Sequence, residues 1–147
     1  MGIDKIAQTI IQAFKRKNFL YIIGNGGSSA MSTHFVGEML GKFKKDRQPL
    51  PAISLFDLAS MTAIANDYGY EYIFVRPLSA LGRAGDVLLA LSTSGKSQNV
   101  LKAIEWAKAN ELIVIDFEKV GDSVAEIQEN QLVALHELAG MIEEAFL

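Results

Sequence analysis

Apolar residues at Ile3, Ile6, Ile10 and Phe14, with Ala7 and Ile11 between them, recur at three- and four-residue steps. This predicts an amphipathic helix with one adhesive face, ending between Lys15 and Asn18. From Phe19 to Ile23 the pattern changes to a continuous apolar run stopped by Gly24, as expected of a strand buried on both faces. Pro51 to Leu55, Asp86 to Leu91 and Leu112 to Phe117 repeat that run. Helical patterning predicts helices over Ser29 to Leu40, Leu58 to Asn66, Gln98 to Asn110 and Val124 to Phe146. Strand and helix therefore alternate, which implies crossover connections and a central parallel sheet in an α/β fold. The stretch from Lys42 to Pro49 is a polar connection, closed off by Pro49 and Pro51 before the second strand. Its charges are expected to be solvated, with attraction of an anionic ligand as the alternative.

At 147 residues, half of them apolar, the chain fits one domain with a substantial core. The formal charge of -3 gives no general basic face. Nucleic acid is therefore a poor partner, and any phosphate must be held locally. The absence of cysteine removes disulfides and thiolate zinc sites and suits a reducing compartment. With no charged leader and no apolar run long enough to cross a bilayer, a soluble, cytoplasmic protein without a membrane partner is expected.

Two loops change the picture from fold to chemistry. Gly24-Asn25-Gly26-Gly27-Ser28-Ser29 ends the first predicted strand and opens a helix, leaving backbone N–H groups free where an anion is favoured. A tight turn without a ligand explains an isolated glycine cluster equally well. The dinucleotide fingerprint fits worse, because Ser29 stands where its third glycine belongs and no acidic residue closes the second strand. A Walker loop is excluded for want of the Gly-Lys-Ser/Thr sequence at the required distance. The second loop, Ser92-Thr93-Ser94-Gly95-Lys96-Ser97, leaves the third strand and opens the Gln98 helix. Its four hydroxyls exceed what one helix cap needs, and together with N–H groups they can surround a phosphate. Open α/β sheets bind ligands at the edge where both loops lie.

His34 and Glu38 are four apart on a predicted helix, so they share a face, and either could bind a metal or move a proton. Taken alone, an ordinary surface pair is the better explanation. Gln128 and His136, eight apart, lie on roughly the same side of the last helix. Asn66 and Asp67, before Tyr68-Gly69-Tyr70, suit either a helix stop or a contact with a sugar.

Taken together, the segments resemble the sugar isomerase (SIS) fold and, within it, the phosphoheptose isomerases. The resemblance rests on Gly24 to Ser28 with His34 and Glu38, Leu50 to Ile53, Thr62 to Tyr70, Leu81-Gly82-Arg83 with Gly85-Asp86-Val87, Ser92 to Ser97, and Ile127-Gln128-Glu129 with His136. It implies a single SIS domain over residues 1–147, an N-terminal helix (1–18) followed by a phosphosugar-binding core (19–147), built as a three-layer α/β/α sandwich. The implied activity converts sedoheptulose 7-phosphate to D-glycero-D-manno-heptose 7-phosphate through an enediol, on the way to the heptose of lipopolysaccharide or other surface glycans. By position, Ser92, Thr93, Ser94 and Ser97 resemble the phosphate cradle. Asn25, Gly26, Gly27, Glu38, Asn66, Asp67 and Gln128 resemble substrate contacts, Glu38 the general base and His136 its partner acid. Many family members hold zinc through residues matching His34, Glu38, Gln128 and His136, a chemically coherent tetrahedral donor set. The resemblance further implies a cytoplasmic homotetramer with one zinc ion per site, sites between subunits and no nucleotide cofactor. A non-catalytic SIS-domain regulator or phosphosugar-binding protein is the alternative, and possession of both Glu38 and His136 argues against it.

The chain departs from the family pattern at Lys96, where asparagine is usual, and after the fourth strand, where only Glu118 to Ser123 stands in place of a further turn, helix and strand. The N-terminus is shorter by about one helix. Either the chain is trimmed or the sequence as it stands omits residues, and the second reading is preferred. A sheet one strand short would expose an edge.

Overall fold

The computed structural model describes residues 1–92 and 94–147. Strands β1 (Leu20–Ile23), β2 (Ala52–Ser54), β3 (Val87–Ala90) and β4 (Ile113–Asp116) form one sheet in the order β2-β1-β3-β4. All three pairings are parallel, with Leu20 opposite both Ala52 and Val87, and Val87 opposite Ile113. Helices α1 (Ile3–Lys15), α2 (Gly27–Leu40), α3 (Leu58–Asp67), α4 (Val75–Leu81), α5 (Gln98–Ala109) and α6 (Val124–Glu144) cover the two faces.

Alternation along the central strands sorts the core into two clusters, because successive side chains leave a strand on opposite faces. Leu20, Ile22, Val87, Leu89 and Leu91 pack with Ile6, Ile10, Phe14, Phe35, Met39, Leu135 and Leu138 from α1, α2 and α6. Tyr21, Ile23, Leu88 and Ala90 pack instead with Leu78, Val100, Ala103 and Ala107 from α4 and α5. This is the expected α/β/α sandwich. The expectation of burial on both faces holds for β1 and β3 and fails for β2 and β4, whose residues are partly open because each lies at a sheet edge. Helix α2 starts two residues earlier than its pattern predicts, and α4, preceded by a 3-10 turn at Tyr70–Tyr72, was absent from the predicted helices. Seven residues are too few for a periodic signal, and α4 buries only Leu78.

The short connection from β4 to α6 is tied down locally. Asn130 Nδ2 donates to the Val120 carbonyl, Gln131 Nε2 to the Glu118 carbonyl, and the Ser123 hydroxyl accepts from Glu126 N–H as the helix cap. No helix among the described residues is long and apolar enough to cross a membrane.

Candidate active site

From β1 the chain passes to β2 on one side, while β3 lies on the other side of β1. The crevice beyond the C-terminal ends of β1 and β3 is therefore the topological switch point, where ligands of open α/β sheets bind. Both chemistry-bearing loops open there. Gly26, the N-cap of α2, has φ 55 and ψ -120, a conformation that only glycine adopts without strain, and no side chain caps the helix. Of the N–H groups of its first turn, those of Ser28, Ser29 and Ala30 donate to the Asn25 and Gly26 carbonyls, and that of Gly27 is left without a backbone acceptor among the described residues. Asn25 and Asn99 form a reciprocal amide pair at 2.9 and 2.8 Å, and Tyr70 Oη donates to Asn25 Oδ1 at 3.0 Å. Asn99, in the first turn of α5, is buried, so this pair locks the glycine turn to the helix that follows the serine loop. Gly24, Asn25, Gly26 and Ser29 line a cleft with Phe56, Met61, Thr62, Ala65, Tyr70 and Ile73.

In the serine loop, the buried Ser92 Oγ accepts from Gly95 N–H at 3.0 Å, and Ser94 Oγ accepts from Lys96 N–H at 3.1 Å. Ser97 caps α5 without a side-chain bond into it, its Oγ 3.5 Å from Ser94 Oγ; Asn99 Oδ1 accepts from Val100 N–H, so the N–H groups of Gln98 and Asn99 are those left to face an anion. Thr93 lies outside the described residues. Asn66 and Asp67 are exposed at the end of α3, where Asn66 Nδ2 donates to Asp67 Oδ1 at 3.1 Å, and neither lines the cleft of the glycine turn.

Further along α2, its packing against α6 brings His34, Glu38 and His136 to one point. Glu38 Oε1 is 2.8 Å from His34 Nε2 and 3.2 Å from His136 Nε2, and the two imidazole nitrogens are 3.2 Å apart. Three atoms that can each offer a lone pair thus face one another, and Glu38 Oε2, buried, has no hydrogen-bond partner among the described residues. A tetrahedral cation about 2.1 Å from each donor sets donor–donor edges of about 3.4 Å, so the observed triangle fits a metal such as zinc. Glu38 is 13% exposed, whereas His34 and His136 are 54% and 42% exposed, so the cluster is closed from below and open on its flank. Gln128 sits two turns before His136 on α6, with its amide against the backbone of Gly27: a Cβ on that glycine would come 2.6 Å from Gln128 Nε2. The structure therefore joins Gln128 to the glycine turn and gathers the two histidines with the carboxylate.

Behind this cluster lies a group that sequence patterning passed over. Arg47 belongs to the connection whose charges were expected to be solvated, yet its side chain is fully buried, with Nε 3.4 Å from Oε1 of the buried Glu143. Burial alone would push the Glu143 carboxyl up. N–H donation from Lys44, Phe43 and Lys45, with the Arg47 guanidinium, outweighs it and holds the group below the usual carboxylate range. Asn99 and Tyr70 were also missed as site-builders. Their only signal in the sequence was an amide in the first turn of a helix and an aromatic hydroxyl after a glycine, both common without function.

Comparison with known proteins agrees with this geometry. The SIS domain family model matches residues 1–118. The phosphoheptose isomerase of Fusobacterium nucleatum is 46% identical over 112 residues, 76% of this chain and 58% of that protein. That of Campylobacter concisus is 37% identical over 162 aligned residues, covering 99% of this chain and 86% of the relative. That alignment is longer than the chain itself, so the relative carries residues without a counterpart here. The solved phosphoheptose isomerase of Francisella tularensis superposes with a TM-score of 0.91 at 33% identity, covering 97% of this chain and 85% of that one. The order of the motifs, the sheet, the converging His34, Glu38 and His136, and these likenesses agree: the chain belongs to the SIS-domain family and, within it, to the phosphoheptose isomerases.

Proposed function

We propose that this chain converts sedoheptulose 7-phosphate to D-glycero-D-manno-heptose 7-phosphate in the cytoplasm, through an enediol, for the heptose of a surface glycan such as lipopolysaccharide. The observation that carries the reading is the approach of Glu38 to His136 at 3.2 Å, on two helices of which α2 starts at the glycine turn and α6 reaches it through Gln128. In this reading Ser92, Thr93, Ser94 and Ser97 hold the phosphate, while Asn25, Gly26, Gly27, Asn66, Asp67 and Gln128 orient the sugar. Glu38 takes a proton from C1 of the ketose, beside the C2 carbonyl, and returns it to C2 of the enediol. His136 exchanges protons with the oxygens, so that charge does not accumulate. His34, Glu38 and His136, with Gln128 as fourth donor, would hold one Zn2+ ion. Bound there, the ion supplies Lewis-acid polarisation of the sugar carbonyl.

The same reading makes the protein a homotetramer whose sites are completed between subunits. Helix α3 has no fully buried residue among those described, Leu58 is 73% exposed and Val133 68% exposed, and the histidines are open on one flank. A non-catalytic regulator has no observation in its favour. Incubation of the purified protein with sedoheptulose 7-phosphate, with and without chelator, tests the proposal. Product formation that Glu38→Gln abolishes supports it, and absence of both turnover and phosphosugar binding overturns it.

A further inference from the structure

We propose that the buried Glu143–Arg47 pair is a positioning device that fixes Glu38 and His136 from behind, an inference that rests on the isomerase reading above. Glu38 lies in the last turn of α2, where helices fray because the final carbonyls lack intrahelical donors. Arg47 supplies those donors. Its Nη2 donates to the Glu38 carbonyl at 2.6 Å, and its Nη1 to the carbonyls of Met39, Gly41 and Gln48 at 3.0, 2.7 and 3.2 Å. Only a planar fork with several N–H groups can cover this many carbonyls at once.

The other half of the pair reaches His136. Glu143 follows it by two turns on α6 and accepts N–H bonds from Phe43 and Lys44 at 2.9 Å and from Lys45 at 3.0 Å. These bonds fasten the connection so that the Phe43 ring stacks on the His136 imidazole, with centroids 5.6 Å apart and planes inclined by 30°. One ion pair therefore sets the end of the helix that carries the carboxylate and the ring that backs the histidine. Packing alone does not require a charge here, since apolar residues commonly replace buried ion pairs without loss of stability. The directional bonds to seven backbone groups are what an apolar pair could not supply.

Arg47→Lys keeps the charge and loses the fork. Phe43→Leu removes the ring and leaves the ion pair. Each is expected to lower kcat by about 10- to 100-fold with KM for the phosphosugar within twofold, because displacement of a reacting group by about 1 Å costs rates of that order. Phe43→Leu is expected to melt close to the wild type, which keeps the test readable if Arg47→Lys folds poorly. NMR signals of the His136 ring read the same point without turnover and should shift or broaden in both variants. Wild-type kcat and unchanged ring signals in Phe43→Leu, with only melting altered in Arg47→Lys, would overturn the inference. If the wild type does not isomerise the sugar, the isomerase reading fails, and the ring signals alone then decide whether the pair positions His136.

Discussion

Gly27→Ala separates the chemistry of the glycine turn from its architecture. A Cβ added at Gly27 would lie 2.6 Å from Gln128 Nε2, 2.9 Å from Oε1 and 3.0 Å from Cδ. Ordinary contact needs about 3.5 Å, so the amide must retreat by about 1 Å. The obstructing atoms are the far end of a flexible side chain, and Gly27 is the first residue of α2. Stability should therefore hold or rise, since alanine exceeds glycine in a helix by up to about 1 kcal/mol, a few degrees at most in melting temperature for a chain of this size. Activity should not hold. A displacement of about 1 Å in a group that orients the sugar predicts a fall of about 10- to 100-fold in kcat/KM. The assay is a double-mutant cycle with Gln128→Ala: once the amide is gone, Gly27→Ala should cost little more. Wild-type kcat/KM in Gly27→Ala, or two losses that simply add, would refute the claim that this glycine is kept free for Gln128.

Other outcomes follow from the same geometry. Zn2+ at a hundredfold excess over its dissociation constant should stabilise the wild type by about 2.7 kcal/mol, and His34→Ala should abolish the shift; a melting temperature indifferent to zinc would refute the site. The depressed Glu143 carboxyl binds a proton less readily folded than unfolded, so its contribution is present above about pH 4.3 and lost as pH falls through the lower folded value. Denaturant titrations between neutral and acid pH should show a shallower acid slope for Glu143→Gln than for the wild type, and identical slopes would contradict the assignment. Ile22→Ala, in the buried centre of β1, should cost about 2–5 kcal/mol in the same titrations, and a loss below about 1 kcal/mol would contradict the packing described. Light scattering should give four times the chain mass, and a monomer that is fully active would refute sites completed between subunits.

What the sequence displayed and what it concealed follow from the range of the interactions. The central strands and the α2 and α6 helices were legible because Ile22, Leu89, Phe35 and Leu138 repeat with the period of their own element. The pair His34 and Glu38 was legible for the same reason, being one turn apart on one helix. That His136 joins them could come only from resemblance, since the contact spans 102 positions. In the charge run at Lys42 to Pro49, Lys42, Lys44, Lys45 and Asp46 are exposed as expected, whereas Arg47 is not, because burial of a cation needs a partner that local pattern cannot show. Here the partner is Glu143, a hundred residues beyond Phe43. Its accepted N–H bonds come from successive residues of one loop, which no sequence periodicity encodes. Asn25 and Asn99 repeat the lesson at 74 positions. The long-range polar contacts are also those nearest the chemistry, for a physical reason: an apolar core tolerates many packings, whereas a proton must be moved between atoms held within tenths of an ångström. Directional bonds between distant segments are the means by which this fold reaches that tolerance at Glu38 and His136.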